Sequence, residues 1–211
     1  MLRPVAFLAA ATLVLAAGTA TAGILLEGDY EGRPLRLELG RDQSRVLAVV
    51  ESTRYLVDLA QGDVHALDGS RPHRIRAAAM PEAAPFRPSS LEPWSEGPMV
   101  AGYGSTYHVL IMNERICGEV LASPWMASFT EPLVRAVELL QRVEPKLAPR
   151  RHEPGCGEVG FAAYAGDGFP LVAGFKGEPL FRVSRLRFDH RPAEAAFDLP
   201  ADAIDCGPKR C

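Results

Sequence analysis

The sequence predicts a mainly β domain of α+β class, preceded by an export segment and interrupted by one helical region. Three observations predict it. Apolar and polar residues alternate with period two along much of the chain. Turn signals separate those runs at short intervals: Gly40-Arg-Asp-Gln, Gln61-Gly-Asp63, Asp68-Gly69, Gly166-Asp-Gly168 and Lys176-Gly-Glu178. One stretch, residues 124–146, shows helical spacing instead.

Residues 1–22 read as a signal peptide. Arg3 supplies the positive start, an apolar run extends from Val5 to Ala17, and Ala20-Thr-Ala22 is a small-x-small cleavage site. A membrane anchor is the rival reading. A spanning helix needs roughly 20 apolar residues, and this run has about 13. No cysteine lies near the run to carry a lipid anchor. Cleavage before Gly23 is therefore expected, leaving one domain over residues 23–211 with no membrane span.

From Gly23 to Arg76 the chain reads as a meander of short strands. Leu35, Leu37 and Leu39 alternate with Arg36 and Glu38, which marks a half-buried strand. Val46–Glu51 is a β-branched run, Tyr55–Ala60 alternates again, and Val64–Leu67 follows a turn. Residues 77–98 differ, because five prolines (Pro81, Pro85, Pro88, Pro93 and Pro98) interrupt regular structure. Phe86, Leu91 and Trp94 make this stretch apolar, so it reads as a long loop packed on the sheet, with room for a helical turn.

Strands resume at Tyr107–Met112 and Ile116–Ala122. Ser123 then suits a helix cap and Pro124 the first helical position. Thr130 can cap again, with Pro132 in the turn that follows. Leu133, Val137 and Leu140 share one face, and Arg135, Glu138 and Arg142 the wet one. The spacing predicts one kinked helix or two short ones over 124–146. Three further strands are expected at Val159–Ala165, Phe169–Phe175 and Pro179–His190.

The four cysteines are Cys117, Cys156, Cys206 and Cys211. The count is even, and export implies an oxidising compartment. Of three possible pairings, Cys117–Cys156 and Cys206–Cys211 are expected. The first ties the strand before the helix to the segment after it, and the second closes a short terminal loop. Metal-binding thiols are the alternative, but Cys117 and Cys156 form no CxxC knuckle.

The formal charge is −3, or −4 without Arg3, which argues against nucleic acid or an anionic membrane as the main partner. Gly155-Cys-Gly-Glu-Val-Gly160 matches GxGxxG literally. No strand precedes it and no helix starts in it, so it reads as a turn. The histidines His65, His73, His108, His152 and His190 are scattered, with no HExxH motif. No GxSxG elbow is present. No metal, no cofactor and no catalytic residue is assigned. A hydrolase whose residues converge only on folding stays an alternative.

Trp125, Met126 and Phe129 cluster at the start of the helical region, at i, i+1 and i+4. Core packing is the plain reading. The sharper one makes them, with Trp94, the mouth of an apolar pocket under a mobile helix.

An ordered series in the second half carries a resemblance: Gly104 through Cys117-Gly-Glu, Gly168-Phe-Pro-Leu171, Val183-Ser-Arg-Leu186 and Phe197-Asp-Leu-Pro200. It resembles a group of uncharacterised bacterial envelope proteins similar to the lipoprotein-carrier (LolA-like) superfamily. The match covers about residues 100–200. It implies a curved antiparallel half-barrel sheet with a helical cover on its concave face. It also implies a periplasmic, non-enzymatic protein holding a lipid-like or other apolar ligand there. An envelope adaptor protein, using its sheet edge or proline-rich loop to bind a protein partner, is the alternative from another class.

Overall fold

The computed structural model describes residues 22–69, 71–80, 90–151, 156 and 158–206. The signal peptide expected over residues 1–22 falls, except for Ala22, outside the described residues. So do Phe86 and Cys211, and with Cys211 the expected Cys206–Cys211 bridge.

The fold is a curved antiparallel half-barrel sheet with a helical cover. Its first six strands are β1 (Gly23–Tyr30), β2 (Arg33–Leu39), β3 (Arg45–Val50), β4 (Thr53–Asp58), β5 (Asp63–Ala66) and β6 (His73–Ile75). Next come β7 (Ser90–Glu96), β8 (Thr106–Met112) and β9 (Arg115–Ser123), then the helix α1 (Ala127–Val143). A small ribbon, β10 (Arg150–Arg151) with β11 (Glu158–Val159), leads to β12 (Phe169–Phe175), β13 (Glu178–His190) and β14 (Ile204–Asp205). Twelve strands form one open sheet in the order β14-β6-β5-β4-β3-β2-β1-β13-β12-β9-β8-β7. Every pairing is antiparallel except β14 with β6.

Alternation decides which face is dry. Leu35, Leu37 and Leu39 of β2 point into the core, while Arg36 and Glu38 pair on the outer face at 2.8 Å. Ile24, Leu26 and Tyr30 of β1 and Phe181, Val183 and Leu186 of β13 continue the same dry surface. Helix α1 fills the concavity with Leu133, Ala136, Val137 and Leu140, all fully buried. Each such leucine contributes about 1.5–3 kcal/mol through burial. Its wet face carries Arg135 paired with Glu138 at 3.2 Å.

The Cys117–Cys156 disulfide forms as expected, with Cα atoms 5.4 Å apart. It closes a loop of 39 residues that contains the whole helix. On the loop-entropy account this stabilises the fold by about 4 kcal/mol.

Four local expectations are corrected. Of the two readings of 124–146, one helix holds, running from Ala127 to Val143 after a 3-10 turn at Pro124–Met126, but Thr130 does not cap it. The Thr130 hydroxyl instead donates to the Met126 carbonyl one turn back, at 2.8 Å. The strand expected over 159–165 ends at Val159, and Phe161–Tyr164 is a 3-10 turn. Phe161 and Tyr164 both enter the core three residues apart, a spacing that a two-residue pleat cannot place on one face. In the proline-rich stretch, Ala77–Ala79 is a 3-10 turn but Ser90–Glu96 is a strand. Pro93 is tolerated there because β7 is the sheet edge, where one side of the backbone has no partner strand. Finally, Ser123 makes no capping bond, and its hydroxyl is buried without a hydrogen-bond partner among the described residues.

Candidate functional site

Where β9 ends and β13 runs past β12, four aromatic rings meet at the rim of the half-barrel. Trp125 follows β9 directly, Phe129 lies one turn into α1, and Phe188 is near the end of β13. Tyr103 comes from the turn closed by the Val100–Tyr103 bridge, with Ala101 and Gly102 in the left-handed region at φ 50° and 87°. Ring centroids stand 5.6 Å apart for Tyr103–Trp125, 5.9 Å for Trp125–Phe188 and 6.0 Å for Phe129–Phe188. Tyr103–Phe188 and Trp125–Phe129 close the cluster at 6.0 and 6.3 Å. Such pairs add about 0.5–1.5 kcal/mol each beyond burial.

The cluster covers a gap in the ladder. Pairing between β12 and β13 stops at Arg182, while β13 continues to His190 beside β1. The Tyr103 hydroxyl donates to the Leu186 carbonyl at 3.1 Å, so the turn shields part of that free edge. Yet the rings are not sealed. Trp125 remains 53% exposed and Phe129 51%, and Met99 nearby is 68% exposed.

The sequence-expected site residues separate here. Trp125 and Phe129 come together at the rim. Met126 turns the other way and is fully buried in the main core, beneath the rings rather than among them. Trp94 is 70% exposed and lies at the register shift between Pro93 and Ser95, as the extra residue of a bulge in β7. It makes no ring contact with Trp125 or Phe129. Tyr103 and Phe188 were not legible as site residues, because only the sheet topology brings positions so distant in sequence together.

The two ends of α1 are held differently. At its C-terminal end Gln141 donates to Tyr30 Oη at 3.0 Å and to the Leu147 carbonyl at 2.9 Å. Its own carbonyl oxygen accepts the Phe161 N–H at 3.1 Å. Beside it the Tyr55 hydroxyl donates to Glu144, whose other oxygen accepts the Lys146 N–H at 2.9 Å. Burial and this carboxylate push the Tyr55 hydroxyl well above the usual phenol range, so it stays protonated. The N-terminal half is held by apolar contacts. Pro132 has no N–H to give to the Ser128 carbonyl, so one rung of the helix is missing there. A groove of about 330 Å³ runs along this half, between Ala127, Thr130 and Val134 on the helix and Ala165 and Phe169 on the sheet side.

Elsewhere, buried titratable groups gather on β4 and β5, where His65 lies among Asp58, Asp63, Arg45 and Arg74, and Asp63 pairs with Arg74 at 2.5 Å. His108 is buried, with both ring nitrogens lacking hydrogen-bond partners, and its Nδ1 stands 3.7 Å from Asp167. The buried Ser123 hydroxyl does not hydrogen-bond to it. His190 pairs with Glu38 at 2.8 Å on the outer side of the sheet. No group of three His, Cys, Asp or Glu side chains is placed to hold a metal ion among the described residues. No helix among the described residues is long and apolar enough to cross a membrane.

No family model, curated protein or solved structure matches this chain.

Proposed function

We propose that this is an exported, periplasmic, non-enzymatic binding protein that holds a lipid-like or other apolar ligand between the sheet and α1. The observation that carries the reading is the asymmetry of the cover. Its C-terminal end is fixed by buried hydrogen bonds, whereas its N-terminal half rests on apolar contacts, lacks a rung at Pro132 and ends in half-exposed rings.

The concave face is filled by α1, so a ligand enters only by displacing part of it. The N-terminal half is the part whose displacement breaks no buried polar bond to the sheet among the described residues. An acyl chain arriving between Trp125 and Phe188 would take the place of Met126 and extend the 330 Å³ groove along Val134. The aromatic rim then keeps the emptied mouth from being flooded, because rings cover a large apolar area with few rotatable bonds.

The test is native mass spectrometry of the intact protein after incubation with a monomeric long-chain fatty acid, beside the variant Pro132→Ala. The substitution restores a helical N–H and stiffens the N-terminal half. One bound fatty acid in the natural protein, and markedly slower uptake in the variant, is the expected result. Equal uptake by both would remove the lid from the reading. A chain that stays bare, yet retains one protein partner at fixed stoichiometry, would favour the adaptor reading instead.

A further inference from the structure

The sheet buries a second, smaller core on its outer face. Leu47 of β3 and Leu56 of β4 point away from α1 and pack with Phe197 of the 3-10 turn Glu194–Phe197. Beside this patch the same face is charged. Asp58 stands opposite both Arg45 and Asp63, and His65 stands opposite both Leu56 and Arg74. Side chains of paired residues share a face, so these groups lie together. His65, Asp58 and Asp63 are buried, and His65 Nδ1 has no hydrogen-bond partner among the described residues.

The chain that follows β13 covers them. Phe197 sits above β3 and β4, while Ile204 pairs with His73 beyond the far side of β5. From β4 to β14 is a span of about 14 Å at the usual strand spacing. Six extended residues reach about 20 Å, so 198–203 cross the outer face along the row of Leu56, His65 and Arg74. The crossing is fastened at its two ends. Arg41 pairs with Glu194 at 3.0 Å, and Arg45 Nη1 donates to the Phe197 carbonyl at 2.8 Å. Arg76 pairs with Asp205 at 2.6 Å, and the N–H groups of Ile204 and Cys206 donate to the Pro72 and Arg74 carbonyls, both at 2.9 Å. Between those ends Asp198 and Asp202 are exposed, and nothing accepts from His65 Nδ1.

Among the groups gathered here, from Arg45 on β3, Asp58 on β4 and Asp63 on β5 to Arg74 on β6, histidine is the type that changes charge between about pH 5 and 8. Burial, opposed by Asp63 and Asp58, holds the His65 imidazole below the usual histidine range, so the closed arrangement favours the neutral ring. An imidazolium donates from both nitrogens, and Nδ1 has no acceptor. Lifting the crossing segment hydrates the ring without breaking a rung among β3, β4, β5 and β6.

We propose that residues 192–206 form an acid-released strap: protonation of His65 lifts it and bares Leu47 and Leu56 on the outer face. The opening is favoured as pH falls below about 6.5, because the open form binds the proton that the closed form resists. It lies across the sheet from the groove beside α1 and does not depend on a ligand there.

Amide hydrogen exchange of the full protein, followed by mass spectrometry at about pH 7.5 and about pH 5.5 and corrected for the intrinsic effect of pH, tests the strap. Peptides covering 192–206 should exchange well ahead of β1 at both pH values, and their protection should fall severalfold in acid. His65→Gln should hold that protection constant. His73→Gln serves as the control, since His73 Nδ1 stands 3.6 Å from Cys206 Sγ, and it should leave the response intact. A strap protected as strongly as β1 opens only with the whole fold, which overturns the proposal. So does protection that acid leaves unchanged, a response that survives in His65→Gln, or one that vanishes in His73→Gln. The comparison of segments within the unaltered protein decides the matter even where a variant fails to fold.

Discussion

Gln141 Nε2 donates to the hydroxyl of Tyr30 at 3.0 Å, joining the end of the helix to the end of the first strand across 111 residues of sequence. The same amide reaches Leu147 and Phe161, so one buried side chain completes three hydrogen bonds. It is the point at which the cover is fastened to the sheet.

Gln141→Leu should therefore be costly despite its similar volume. The buried Leu147 carbonyl loses a donor and the buried Phe161 N–H loses its acceptor. Each unmet buried group costs about 1–3 kcal/mol, so a loss of about 3 kcal/mol is expected. Urea denaturation followed by tyrosine and tryptophan fluorescence measures it. A change within experimental error would mean that the helix is fastened by its apolar face alone.

Gly118→Ala tests how closely Tyr164 lies on β9. A Cβ at residue 118 would stand 2.7 Å from Tyr164 Cε1 and 2.9 Å from its hydroxyl oxygen. Tyr164 is fully buried and cannot swing away freely. Overpacking of this kind costs about 1–3 kcal/mol, read as a lower denaturation midpoint with an unchanged slope. An alanine tolerated without loss would show that the ring has room to retreat.

His65 gives the fold a pH dependence. It lies buried on β5, with Asp63, Asp58, Arg74 and Arg45 around it. Burial, opposed by the two carboxylates, holds its imidazole below the usual histidine range. The unfolded chain then binds a proton before the folded one does, so this contribution is present above about pH 6.5 and is lost as pH falls further. Stability measured from pH 7 to 5 should decline, and His65→Gln should flatten the slope. A steeper decline in that variant would place the pH dependence elsewhere.

How much of this was legible depended on whether the signal was local. Leu35, Leu37 and Leu39 announce β2 because strand geometry repeats every two residues, and Leu133, Val137 and Leu140 announce α1 because helical geometry repeats at 3.6. The Cys117–Cys156 pairing followed from its bracketing of the helix. Pro93 concealed β7, since the harm that proline does to a strand depends on whether the strand is central, a fact of topology. Phe161 and Tyr164 concealed a 3-10 turn, because two aromatics around Ala-Ala read as strand until the core claims both. At the site, Trp125 and Phe129 declared themselves through their i, i+4 spacing, which the 3-10 turn Pro124–Met126 running into α1 keeps close in space. Tyr103 and Phe188 reach them through pairing across the sheet, and no local pattern records that. Met126, a neighbour of Trp125 in the 3-10 turn Pro124–Met126, faces inward because adjacent positions of such a turn point about 120° apart.

The borders of the sheet carry a last consequence. A broad surface left unclosed offers free N–H and C=O groups at both ends, the usual starting point for runaway polymerisation. Here one border is a strand of two residues, and the other combines an imino acid, a kink at Trp94 and the acidic Glu92 and Glu96. Neither offers a flat template to another copy. The molecule can stay dispersed without sealing itself into a cylinder, and its inner wall is left free for a helix to occupy.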